Sequence, residues 1–127
     1  MIVEHFMGKK ECSNFEELRE VLDKRTEKGV NEFIISTNEK FPYIIMSVKG
    51  KYACLSYFRE EDDPGYSSVN NAPILDEDGI SIFYTNTDSE EIEVANYSII
   101  EIEDAVSAVK EFFETQQLPN CIEWEEL

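Results

Sequence analysis

The chain has one histidine, one tryptophan, three cysteines and four prolines in 127 residues, and far fewer positive charges than negative ones. Each scarcity closes a class of function. A serine or cysteine nucleophile usually needs an imidazole base, and the sole candidate, His5, lies in an expected first strand with no nucleophile motif anywhere in the chain. No glycine-rich phosphate loop is present. Cys12, Cys54 and Cys121 are odd in number, widely spaced and without a CxxC pair, so neither a disulfide framework nor a zinc site is supported. Cys54 and Cys121 stand in apolar, strand-like runs and are expected to be buried thiols. Neither a metal nor a cofactor is expected. No apolar run approaches the ~20 residues that span a bilayer, and Met1-Ile2-Val3-Glu4-His5 lacks the basic, apolar and small-residue regions of a secretion signal. A cytosolic protein is expected.

Lysine and arginine number 11 against 28 aspartates and glutamates, for a net charge of −17. The sequence pI is near 4.2. Such a chain has no basic footprint with which to displace counterions from nucleic acid, and an anionic membrane repels it. What it attracts is a positively charged partner, through electrostatic steering. The imbalance belongs to the second half: after Arg59 the only basic residue is Lys110. Self-repulsion at that density costs stability, which favours a functional reason for it.

What is present is enough apolar material, 42% of residues, for one packed domain over residues 1–127. Ile2 to Met7 reads as a strand. Ser13-Asn14-Phe15-Glu16 has capping-box spacing, and Phe15, Leu18, Val21 and Leu22 recur at helical intervals until Gly29 supplies a stop. Phe33 to Thr37 is a strand, and Tyr43 to Val48 with Tyr52 to Phe58 forms a hairpin around Lys49-Gly50-Lys51. The consecutive Ile44, Ile45 and Met46 place their strand in the middle of the sheet, covered on both faces. Arg59 to Pro73 reads as an exposed loop, and Ile80 to Tyr84 and Ile92 to Ile100 as further strands. Ile102, Ala105, Val106, Val109, Phe112 and Phe113 form the apolar face of a second helix, and Cys121 to Trp124 a closing strand. The expected fold is α+β, a mainly antiparallel sheet of about five to seven strands with two principal helices packed on it.

Two acidic clusters stand out, Glu60-Glu61-Asp62-Asp63 and Asp76-Glu77-Asp78-Gly79. Neither has the alternating ligands of a calcium loop or a site-like spacing for acid–base work, so solvated turns are expected. Tyr57, Tyr66, Tyr84 and Tyr97 fall in or beside the acidic segments. Aromatic rings next to carboxylates suit a protein interface, because carboxylates take bidentate bonds from arginine and rings bring contact area at low entropic cost. Taken singly, each tyrosine also reads as an alternate-face core residue.

The stretch Ile102-Glu103-Asp104-Ala105-Val106 through Val109 and Phe112-Phe113 to Leu118-Pro119-Asn120-Cys121-Ile122-Glu123-Trp124 resembles immunity protein family 1 of bacterial polymorphic toxin systems. The shared pattern is an amphipathic helix with small residues and a late aromatic, then a proline, an aliphatic residue and a tryptophan near the end. It covers the last quarter of the chain, and Gln117-Leu118-Pro119 stands where a glycine often precedes the proline. The resemblance implies a small α+β immunity protein without enzyme activity, made beside a toxin, often one of contact-dependent growth inhibition, that acts on DNA or RNA as a nuclease or deaminase. Pro119, Ile122 and Trp124 are then structural. On this reading the acidic, tyrosine-bearing surface binds the basic face of the cognate toxin through Glu60, Glu61, Asp62, Asp63, Tyr66, Asp76, Glu77 and Asp78. Charge alone also fits an acidic adaptor for a basic cellular protein, and carboxylate abundance a small hydrolase.

Overall fold

The computed structural model describes residues 1–70 and 78–127. In chain order come β1 (Ile2–His5), β2 (Gly8–Glu11), α1 (Phe15–Leu22), β3 (Val30–Ser36), β4 (Tyr43–Lys49), β5 (Tyr52–Phe58) and β6 (Tyr66–Ser68). After them follow β7 (Ile80–Tyr84), β8 (Glu91–Ala95), a 3-10 turn (Asn96–Ser98), β9 (Ile100–Glu101), α2 (Ile102–Thr115) and β10 (Trp124–Glu126). Seven strands make one antiparallel sheet in the order β10-β6-β5-β4-β3-β1-β2, with β9 added to β5, and β7 and β8 pair separately as a hairpin. The α+β class, the strand number and the two helices agree with the sequence reading. No helix among the described residues is long and apolar enough to cross a membrane.

Side chains alternate across a strand, so each strand serves two faces. On one, Phe33 and Ile35 of β3, Ile44, Met46 and Val48 of β4, and Ala53, Leu55 and Tyr57 of β5 meet Leu18, Val21 and Leu22 of α1 and Ala105, Val106, Val109 and Phe112 of α2. The helix periodicity delivers these residues to one stripe, and burying that stripe is what stabilises two otherwise marginal helices. Arg19 of α1 reaches Glu103 of α2 at 3.0 Å.

The opposite face is covered in part by the β7–β8 hairpin. Glu32, next to Phe33 and so turned the other way, is buried, and its carboxylate accepts from the Thr85 hydroxyl at 2.8 Å and the Asn86 amide at 3.1 Å. Two donors compensate the carboxylate for lost water. Lys49 Nζ donates to the Ile82 carbonyl at 2.9 Å, so the hairpin is tied to both β3 and β4. As its apolar run implied, β4 lies between β3 and β5, but only its helix-facing side is fully buried; on the other face Tyr43 and Ile45 are half-buried.

Several local expectations shift. The cap of α1 is Asn14, not Ser13: its side-chain oxygen accepts from Glu17 N at 2.9 Å and its amide reaches back to Glu17. The helix stops at Leu22, well before Gly29, because Arg25 Nη1 takes the free Leu22 carbonyl at 2.7 Å and the buried Asn31 amide takes that of Lys24 at 2.9 Å. The expected loop 59–73 contains β6. Its Ser68 hydroxyl accepts from Leu55 N and donates to the Ser98 carbonyl, so a side chain stands in for a ladder bond. The expected strand Ile92 to Ile100 is broken by the 3-10 turn, and β2 and its exposed, polar residues went unread. Cys121 is exposed rather than buried, while Cys12 is a core residue. Cys54 is half-buried as a residue but its sulfur is enclosed, and burial pushes its thiol up to about 12.

Candidate functional site

The first acidic cluster sits on the turn that carries the chain from β5 to β6. Phe58 ends β5 and Tyr66, directly opposite Tyr57, begins β6. Inside this turn Asp63 is not a free surface charge. Its side chain is only 4% exposed, and it accepts from Arg59 N at 3.0 Å, Arg59 Nε at 3.1 Å and Gly65 N at 3.1 Å. The Arg59 side-chain bond first, then the backbone donors, hold its carboxyl at about 2, well below the ordinary 3.8. Asp62 and Gly65 both adopt positive φ, and a Cβ on Gly65 would lie 2.8 Å from the Phe58 ring, so the turn closes only with glycine there.

Tyr66 is likewise engaged. The Arg59 guanidinium lies 5.1 Å from its ring centre, and its hydroxyl donates to Glu126 Oε2 at 3.1 Å. Leu127 N donates to the Gly65 carbonyl at 2.9 Å. The clamp leaves Glu60, Glu61 and Asp62 exposed on a turn whose backbone is held from within and from β10. The structure therefore divides the first cluster into three presented carboxylates and Asp63, which holds the turn together with Tyr66.

Because the folded-state value of Asp63 lies below its unfolded one, its contribution to stability is complete above about pH 4 and is lost as pH falls through about 2. Asp63→Asn is expected to be less stable than the parent at pH 6, with the gap closing between about pH 4 and 2; urea melts across that range check it. A gap that stays constant over that window would remove Asp63 as the clamp.

The second cluster lies elsewhere. Asp78 is exposed at the approach to β7, next to Gly79, whose carbonyl accepts from Asn96 N at 3.0 Å. Asp76 and Glu77 lie outside the described residues. Of the other tyrosines near acidic segments, Tyr57 is a core residue edge-on to Phe112, Tyr84 is half-buried beneath Lys28, and Tyr97 is exposed.

The aromatic residues beside the presented carboxylates are ones the sequence reading did not select. Tyr43 and Phe58 face each other across β4 and β5 with rings stacked at 4.9 Å, and Phe41 lies 5.3 Å from Tyr43. Tyr43 and Phe58 alternate with the core residues Ile44 and Tyr57, so this half-buried row lies on the face away from the helices. A signal existed. A two-residue turn at Gly50-Lys51 fixes the register, and the two residues stand equally far from it along their strands.

Geometry offers little for catalysis. His5 packs against Phe33 with ring centres 5.9 Å apart and accepts from Met7 N, and burial, then Lys24, lowers its pKa. Among the described residues no group of three or more histidine, cysteine, aspartate or glutamate side chains is arranged to hold a metal ion.

The turn presents three carboxylates on a backbone held in place, and comparison with known proteins supplies the family. Residues 9–126 match the family described as immunity protein Imm1, far beyond the C-terminal quarter that carried the resemblance. The chain belongs to the Imm1 family of immunity proteins. Imm1 membership makes it an inhibitor and not an enzyme. A protein of Burkholderia cenocepacia (strain H111), a double-stranded DNA deaminase immunity protein, is 27% identical over 128 residues that cover the whole of both chains.

Proposed function

We propose that this Imm1 protein neutralises a toxin that deaminates double-stranded DNA, by binding it stoichiometrically in the cytoplasm through its acidic surface. The end-to-end similarity to the B. cenocepacia immunity protein carries the choice of toxin. Physical chemistry supports the manner of binding. A protein that grips duplex DNA needs lysines and arginines to neutralise phosphates, and a surface of presented carboxylates competes for the same groups.

In this reading Glu60, Glu61 and Asp62 on the β5–β6 turn meet the toxin's basic face, with Asp63 and Tyr66 keeping the turn in shape. Asp78 extends the acidic surface on the β7 side, and Asp76 and Glu77, outside the described residues, are proposed as contacts from the sequence alone. Phe41, Tyr43 and Phe58 supply apolar contact next to the carboxylates, the combination that dominates binding energy at protein interfaces.

The test is co-expression with a deaminase domain encoded beside this chain's gene, scored by growth, by deaminated bases in chromosomal DNA and by co-elution. Survival, undamaged DNA and a one-to-one complex that weakens with salt are expected. Continued deamination with no complex would refute the proposal.

A further inference from the structure

The acidic turn has a counterpart of opposite sign at the other end of β5. A cavity of about 490 Å3 opens where Lys28, Lys49 and Lys51 converge over an apolar floor that includes Phe83 and Ile99, with Tyr52 at its side. In a chain of net charge −17, three of the 11 basic residues line this one cavity, and among the described residues no carboxylate does. Phe83 is 1% and Ile99 0% exposed, so the floor is buried.

The lysines are placed by the backbone and not by ion pairs. Lys28 Nζ donates to the Asp88 carbonyl at 2.7 Å and Lys49 Nζ to the Ile82 carbonyl at 2.9 Å, while Lys51 Nζ lies 5.6 Å from the Tyr52 ring centre. Among the described residues none of the three has a carboxylate within 4 Å. An ammonium has three donors, so Lys28 and Lys49 each keep two for a ligand. The two turns that carry the rim are joined directly, Gly50 N donating to the Gly29 carbonyl at 3.0 Å. All three lysines are exposed, which leaves the mouth open to a macromolecule.

We infer that this pocket is a second contact for the toxin, one that receives an acidic side chain of the toxin flanked by an apolar residue. The inference rests on the reading of the chain as a toxin-binding immunity protein. Its physical logic is orientation. A strongly negative protein attracts a basic one in many poses, and attraction alone does not choose among them. A cationic socket roughly 20 Å along β5 from the acidic turn, at about 3.3 Å per residue, accepts only the pose that brings a carboxylate to it. A pose that presses the pocket against a basic surface is penalised, and one that leaves it in solvent forgoes the contact.

The test is binding of this chain to the catalytically inactivated toxin domain, with Lys51→Glu as the first variant and Lys28→Glu/Lys51→Glu as the second. Lys51 comes first because among the described residues its side chain makes no hydrogen bond and only its backbone carbonyl is engaged, by Ile102 N at 3.0 Å. Both variants make the protein more negative. If only overall attraction mattered, a basic toxin would bind them equally well or better. The pocket contact instead predicts that dissociation accelerates at least about tenfold for Lys51→Glu, with the thermal midpoint unchanged, and that Lys51→Arg keeps parental binding. Unchanged or tighter binding of both glutamate variants would overturn the inference while leaving the toxin reading intact. Absence of binding by the parent chain would remove both. Binding of free 4-phenylbutyrate in the pocket, with no effect of Lys51→Glu on the toxin, would assign the cavity to a small ligand and overturn the inference as well.

Discussion

Reversing Glu60, Glu61 and Asp62 to lysine together is expected to slow capture of the toxin by at least about tenfold at low ionic strength, with little change in folding stability. Each reversal replaces a negative charge by a positive one where the partner is proposed to approach, and steering of this kind changes association rates by ~10–1000-fold. Stability is spared because these three side chains are exposed and the turn is held by Asp63, Arg59 and Gly65 instead. Surface changes away from such a clamp stay within about 0.5 kcal/mol, and lysine at the positive φ of Asp62 adds about 1 kcal/mol.

A control separates local contact from overall charge: the same reversal at Glu16, Glu20 and Glu114, exposed on the two helices, alters the net charge equally. Association rates measured against salt for both triple variants decide the matter. Equal slowing would mean that the field of the whole protein does the work and that the β5–β6 turn has no special place in it. Loss confined to the first triple would place the toxin on that turn.

Phe112→Ala is expected to be the most damaging single change, costing about 3–5 kcal/mol. Phe112 is fully buried at the C-terminal end of α2 and meets Tyr57 edge-on, with ring centres 6.0 Å apart. Tyr57 in turn lies within 6.3 Å of the Trp124 ring and 6.1 Å of Tyr66. The deletion therefore opens a cavity under the strands that carry the acidic turn. Against a total of about 5–15 kcal/mol for a domain, that loss leaves little margin. A urea titration should show the midpoint falling sharply with nearly the same slope. A loss under about 1 kcal/mol would contradict the packing of α2 on β5 described above.

The residues that hold Trp124 show how a resemblance and a structure answer different questions. Trp124 donates from its indole nitrogen to the Pro119 carbonyl at 2.7 Å and pairs through β10 with Ser68 of β6. The proline and tryptophan that signalled the family thus act in folding, where they close the edge of the sheet beside the turn. The proposed contact residues lie outside the resembling stretch, on the β5–β6 turn that Glu126 and Leu127 tie down.

Local pattern in the sequence determined the α+β class, α2 with its apolar face, the β4–β5 hairpin and the central place of β4. Each is legible because it depends on side chains a few residues apart: a 3.6-residue period, a two-residue turn, an unbroken apolar run. Composition likewise raised the expectation of a basic partner. Only the tertiary structure decided which charges are presented and which are consumed. Asp63 reads the same as Glu60 to Asp62 along the chain, and its burial beneath Arg59 and Gly65 appears only when the turn closes. Ser68 can form a strand in what reads as a loop because Leu55 and Ser98 meet its hydroxyl from distant segments. Lys28 and Lys51 become one cationic site because Gly29 and Gly50 bond across two turns that are separated by β3 and β4. Contacts of that kind are made between segments far apart in the chain, where local periodicity carries no information about distance.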